Sequence, residues 1–269
     1  MSPTEEAPAA RRIEGVWSLP VRGPQIAPID PALLEAFAGI GSATASAQLH
    51  RMGITRSFIE GPTTNAPGTR IVGRAVTLQF MPLREDIYTD AGETQEYVER
   101  STALWAVLDE VEPNDVLVVQ AYGSPRAGVV GEMLAHHFHN RGGLGIVVDG
   151  RIRDSQSVRE NGTPVWSLGS TPHYASQGTL FAWGYHVPVA VGGALVIPGD
   201  LIIADDDGAV VVPIKKAPAI LEASAKHDTW EVFSRMRLKA GGSLRRYYPL
   251  DEVGEAEYLK WEADGRPVD

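Results

Sequence analysis

The 269-residue chain contains no cysteine, which excludes disulfides, thiolate nucleophiles, iron–sulfur clusters and cysteine-ligated zinc. Lysine is missing from most of it: none precedes Lys215, so carbonyl chemistry through a Schiff-base amine has no local donor before that point. Positive charge is scarce as well. Lys and Arg number 24 against 34 Asp and Glu, a net charge of −10, and such a surface repels phosphate backbones and anionic lipid. Neither nucleic acid nor a membrane is an expected partner, and an anionic substrate would need a local device to capture it. No run approaches the roughly 18 apolar residues of a membrane helix; the most apolar stretch, Val187 to Val196, holds Pro188, Gly192 and Gly193. The opening MSPTEEAPAARR lacks the apolar core of a secretory signal, so a cytoplasmic location is expected.

What is present fits a globular protein, with 43% hydrophobic and 22% charged residues. Pro31 to Met52 reads as two short helices broken near Gly39 to Gly41, with Asp30 as N-cap ahead of Pro31. Arg70 to Phe80 is rich in β-branched residues and reads as a strand. Helical spacing resumes from Glu93 to Leu108, ending before Pro113. VLVVQ (Val116 to Gln120) and LGIVV (Leu144 to Val148) are continuous apolar strands separated by a helix from Gly131 to Asn140. This strand–helix–strand alternation predicts an α/β core with parallel pairing. Short strands are expected from Pro164 to Pro213, then a helix from about Ala217 to Leu238. One domain over residues 30–244 is expected, with a tail at 1–29 and a C-terminal extension at 245–269 forming a surface tail or intersubunit arm.

Two loops lie just beyond apolar strands, where α/β sites gather. In the first, Gly128-Val129-Val130-Gly131-Glu132-Met133-Leu134 leads into a helix whose first-turn N–H groups and positive dipole end suit a carboxylate or phosphate. The alternative is that Gly128 and Gly131 only permit a tight strand-to-helix turn. In the second, Asp149-Gly150-Arg151-Ile152-Arg153-Asp154 follows LGIVV. Asp154 could be merely an N-cap for the turn from Ser155 to Asn161. Alternatively, a carboxylate beside a hard cation, with Arg153 adjacent, suits stabilisation of an oxyanion or enolate. One carboxylate from each loop, Glu132 and Asp154, matches the sparse protein ligation of Mg²⁺. His136, His137 and His139 lack zinc spacing and read as surface or packing groups, and His173 and His186 are lone histidines in loop-like segments. No G-x-S-x-G elbow occurs, and Asp205-Asp206-Asp207-Gly208 reads as a β-turn rather than a calcium loop.

The segment GVVGEMLAHHFHNRGGLGIVVDGRIRD, Gly128 to Asp154, resembles the signature of the RraA-like family, which includes the 4-hydroxy-4-methyl-2-oxoglutarate and 4-carboxy-4-hydroxy-2-oxoadipate aldolases. Further similarity lies in PGTRIVGRAVTLQF from Pro67, EPNDVLVV from Glu112, VIPGDLIIADDDGAVVVP from Val196, and the C-terminal helix with Glu231 ahead of LKAGGSL. The resemblance spans about Pro31 to Leu244. It implies a β/β/α swivelling-type domain, assembled as a homotrimer or hexamer with the active site between subunits. It implies a divalent-metal-dependent pyruvate aldolase or 2-oxo acid lyase that works through a pyruvate enolate, with accompanying oxaloacetate decarboxylation. The amides of Gly131, Glu132, Met133 and Leu134 would then bind the substrate carboxylate. Arg153 would steady the enolate, Asp154 would hold Mg²⁺ or Mn²⁺, Glu132 would orient water, and Glu231 would reach the metal from a neighbouring subunit. The family also implies a rival reading, a protein-binding regulator of ribonuclease activity, and the changed segment Pro82 to Gln95 motivates another, a lyase or hydratase acting on a sugar-derived 2-oxo acid. This chain departs from the family pattern at Ala47-Gln48-Leu49-His50, in the longer acidic segment Pro82 to Gln95, and after Leu244, where the far end of a substrate could bind.

Overall fold

The structure is a computed structural model that describes residues 11–13, 17–84, 99–175 and 179–267. The strands, in chain order, are β1 (Arg11–Ile13), β2 (Trp17–Leu19), β3 (Val21–Arg22), β4 (Phe58–Ile59), β5 (Thr63–Thr64), β6 (Ile71–Pro82), β7 (Asp115–Gln120), β8 (Gly145–Val148), β9 (Val165–Ser167), β10 (Leu180–Tyr185), β11 (Val189–Val191), β12 (Ala194–Val196), β13 (Leu201–Asp205) and β14 (Gly208–Val212). The helices are α1 (Pro31–Phe37), α2 (Ser42–Arg51), α3 (Ala103–Asp109), α4 (Glu132–Asn140), α5 (Ser155–Glu160), α6 (Ala217–Lys239), α7 (Leu244–Tyr247) and α8 (Glu252–Ala263). The chain forms two compact units, Met1–Ala217 and Pro218–Asp269. No helix among the described residues is long and apolar enough to cross a membrane.

The N-terminal unit is built on one sheet ordered β4-β14-β13-β6-β7-β8-β9-β5, with β10 paired to β6 and β3 paired to β10. Its centre, β6-β7-β8-β9, is parallel, because α3, α4 and α5 lie in the connections between successive strands and return the chain to the same end. All six residues of β7 are buried, which is why VLVVQ is a continuous apolar run rather than an alternating one. Side chains alternate across it. Leu117 and Val119 face a core shared with Leu104, Val107 and Phe138 of the helices. Val116 and Val118 face the opposite core, with Val191 and Val196 of the β11–β12 hairpin and Ile202 and Val211 of β13 and β14. Helices therefore cover one face and strands the other, as the α/β reading with a β/β/α layering expects.

Local signals hold where the physics is local. Asp30 Oδ1 accepts from Ala32 N at 2.9 Å ahead of Pro31, and the β13–β14 hairpin turns through Asp206 and Asp207 into Gly208. The helix expected over Glu93 to Leu108 is broken: α3 begins at Ala103, Thr102 Oγ1 donates to Glu99 O at 2.8 Å, and 93–98 lie outside the described residues. Most of the acidic segment Pro82 to Gln95 also lies outside them. Two expectations need correction. Val21–Arg22, placed in the N-terminal tail, adds a parallel strand to β10. The C-terminal stretch, read as a surface tail or arm, folds into α7 and α8, where Tyr247 and Trp261 pack with Phe233 of α6 in a core within their own unit. Asp251 caps α8 by accepting from Gly254 N at 2.8 Å.

Candidate functional site

The parallel strands β7 and β8 end side by side, so the loops that follow them meet. Asp149, the first residue after β8, ties them together: its carboxylate accepts from Ala121 N and its carbonyl accepts from Gly123 N at 2.6 Å. Burial pushes the Asp149 carboxyl up to about 6, against the pull of the Ala121, Gly192 and Tyr122 amides. Further on, Val129 N donates to Arg151 O at 2.9 Å and Arg153 N donates to Val130 O at 3.0 Å. A third segment closes the layer, as Gly128 N donates to His173 O at 3.1 Å and Thr171 N to Ile152 O at 2.9 Å. Backbone hydrogen bonds thus fix the two loops without using their functional side chains.

Gly131 is the N-cap of α4 and offers no capping side chain, so the amides of Met133 and Leu134 open the helix with no carbonyl one turn back to receive them. The absence of a side chain is a requirement of space. A Cβ on Gly131 would lie 2.8 Å from Asp154 Oδ2 and 2.9 Å from Arg153 Nε. Arg153 Nε donates to Asp154 Oδ2 at 3.0 Å, and Glu132 N donates to the same oxygen at 3.3 Å. Asp154 occupies the N-cap position of α5 with φ 52° and makes no side-chain cap bond there. Its carboxylate is turned instead toward the α4 terminus and Arg153. Both side chains stay partly open, 38% exposed for Arg153 and 39% for Asp154.

Gly131, Glu132, Met133, Leu134 and Arg153 line a cavity of about 480 Å³. The cavity is also walled by Phe80 of β6, Leu104 and Trp105 of α3, Tyr174, and Leu180 of β10. The sequence reading missed this wall. Apolar residues at helix or strand spacing look like core, and only the half-open state of Trp105, 39% exposed, separates it from one. The predicted residues Gly131, Glu132, Arg153 and Asp154 are brought together, while Glu231 belongs to the C-terminal unit, on α6, where it lies 4.0 Å from Arg235. His136, His137 and His139 are exposed on α4. His173 Nδ1 lies 3.0 Å from Thr171 Oγ1, buried His186 lies 3.3 Å from Glu110, and neither lines the cavity.

The donor set around Asp154 suits a hard divalent cation. Asp154 Oδ2 is engaged by Arg153 and Glu132 N, while Oδ1 accepts from none of the described residues. Among the described residues no three His, Cys, Asp or Glu side chains gather into a ligand cluster. The chemistry available is therefore anion capture at a helix N-terminus, beside a guanidinium and a carboxylate.

The β/β/α sheet, with a helix terminus and an Arg-Asp pair meeting beyond the ends of its parallel strands, can be set beside known proteins. The pattern of the RraA-like family (Aldolase/RraA) matches residues 35–211, and the chain belongs to that family. It is similar to Streptomyces coelicolor RraAS2, named as an unusual member of the RNase ES inhibitor RraA protein family, at 55% identity and TM-score 0.72, covering 80% of this chain and 100% of that one. It resembles protein DlpA of Legionella pneumophila at 26% identity over 218 residues, 80% of this chain and 33% of that protein. A candidate 4-hydroxy-4-methyl-2-oxoglutarate aldolase of Halalkalibacterium halodurans is 31% identical over 124 residues, 46% of this chain and 58% of that protein. The chain spans less than two thirds of the length of these last two relatives.

Proposed function

We propose that this protein is a divalent-metal-dependent pyruvate aldolase, a carbon–carbon lyase acting on 2-oxo acids, with oxaloacetate decarboxylation as an accompanying activity. The observation that carries the reading is the convergence at Gly131, where the α4 terminus, Arg153 and Asp154 come so close that a methyl group would force the two side chains to shift. In this reading the substrate carboxylate sits on the amides of Gly131, Glu132, Met133 and Leu134, held by the helix dipole. Arg153 faces the C2 oxygen and stabilises the charge that develops there. As the C3–C4 bond breaks, its electron pair moves to form the C2–C3 enolate. The C4 hydroxyl gives its proton to a water oriented by Glu132, and a proton returned to C3 completes pyruvate. Asp154 would hold Mg²⁺ or Mn²⁺, with Glu231 supplying a further oxygen across a subunit interface of a homotrimer or hexamer. When bound, the cation supplies Lewis-acid stabilisation of the enolate oxygen. Oxaloacetate gives the same enolate by losing carbon dioxide. Pyruvate release from oxaloacetate should stop with EDTA and in Asp154→Ala; activity that survives either change would overturn the metal's role.

A second reading, a regulator that binds a ribonuclease, is favoured by the 55% identity to RraAS2 over the whole of that chain. Capture of an RNase E-type ribonuclease by metal-free protein, undiminished in Arg153→Ala, would support it. No capture at micromolar concentrations would remove it.

A further inference from the structure

The cavity is large for the substrate half that its charged end would hold. About 480 Å³ falls within the range of roughly 300–1,000 Å³ that encloses a drug-sized ligand, whereas a pyruvyl group in the reading above would occupy only the part lined by Gly131 and Arg153. Beyond those residues the lining is mostly apolar, with Phe80, Leu104, Trp105, Tyr174 and Leu180, and it includes the polar Thr102 and Glu99. Among the described lining residues Arg153 is the sole cation, and it already faces Asp154. A second carboxylate at the far end of a substrate would lie near Glu99 with no described lining cation to meet it, and burying an unpaired charge is costly. An uncharged ring meets the opposite situation. Trp105 follows Leu104, which is 5% exposed, yet Trp105 is itself 39% exposed and lines the cavity. An indole left open within an apolar wall is a surface for offset or edge-to-face aromatic contact.

We propose that the cavity selects 2-oxo acids whose far end is uncharged and aromatic, with Trp105 as the specificity-determining side chain. The proposal rests on the pyruvyl-binding reading above and adds the identity of the group at the opposite end. For an aldolase, this means 4-hydroxy-2-oxo acids that carry an aryl group on C4, cleaved to pyruvate and an aromatic aldehyde.

Calorimetric titration of the full chain in Mg²⁺ with pyruvate, phenylpyruvate and 2-oxoglutarate separates the two claims. Phenylpyruvate should bind at least roughly tenfold more tightly than 2-oxoglutarate, the scale on which apolar pockets discriminate. Trp105→Ala should weaken phenylpyruvate binding severalfold more than pyruvate binding, and Trp105→Phe should recover most of the difference. Equal or tighter binding of 2-oxoglutarate, or a Trp105→Ala variant that weakens both ligands alike, would overturn this inference while pyruvate binding leaves the aldolase reading intact. Failure of all three ligands to bind would overturn both.

Discussion

Two arginine–aspartate pairs sit at opposite ends of the same parallel strands, and they do different work. Arg74 and Asp115, at the end where β7 begins, are 6% and 0% exposed and joined by two bonds, 2.7 Å from Nε to Oδ1 and 3.0 Å from Nη2 to Oδ2. Arg74 is held further by Glu112 at 2.8 Å and by Ala27 O at 3.1 Å. Arg153 and Asp154, beyond the other end of β8, share one 3.0 Å bond and are more than a third exposed. The first pair has its hydrogen-bonding capacity used by the protein and serves the fold. The second pair is left partly open, with Arg153 lining the cavity, so its chemistry is available to a ligand. The same residue types acquire structural or functional meaning from burial and from how many partners the backbone supplies.

The contrast can be broken at either end. The largest effect is expected from Asp115→Ala, which strands a buried guanidinium and should cost about 3–5 kcal/mol in urea unfolding. Arg153→Ala should leave stability within about 1 kcal/mol while lowering pyruvate release by roughly 100- to 1,000-fold, the scale of losing one oxyanion donor. If Arg153→Ala destabilises as much as Asp115→Ala, the two pairs are both structural and the comparison fails. Gly131→Ala drives a methyl group into Arg153 and Asp154 and should cost about 1–3 kcal/mol as overpacking, with loss of pyruvate binding in calorimetry. The smallest effect concerns the strut between the loops. Because the Asp149 carboxyl is raised to about 6 in the fold, the folded state binds its proton more tightly than the unfolded chain does. Its contribution to stability is therefore full at the acid end and falls as pH rises from about 4 to 6. The stability of Asp149→Asn relative to the parent, measured by denaturant unfolding, should rise across that interval and be flat above it.

Much of this site was legible because its signals are local. Glycines that flank a helix start, and charge placed immediately after a buried strand, mark Gly131 and Arg153-Asp154 without any knowledge of the fold. The sheet centre was legible for the same reason, since a strand buried on both faces must be apolar throughout. The cavity wall was not. Leu180 and Ala182 reach the same core as Phe80 only because β10 pairs antiparallel with the C-terminal half of β6, a long-range register that no short pattern encodes. The C-terminal helices were missed because their core is assembled from three separate helices, with Tyr247, Tyr258 and Trp261 converging on Phe233, a convergence that no short pattern encodes. The break before α3 arises from a side-chain-to-carbonyl bond at Thr102, which competes with helix continuation.

The central claim is that the α4 terminus and Arg153 hold pyruvate so that its enolate can form. Nuclear magnetic resonance of pyruvate in deuterium oxide tests it without assuming the aldehyde partner. Methyl protons should exchange with solvent in the presence of the protein and Mg²⁺, and exchange should cease with EDTA and fall at least roughly 100-fold in Arg153→Ala. Exchange that persists in Arg153→Ala, or none with the parent protein and Mg²⁺, would contradict the account.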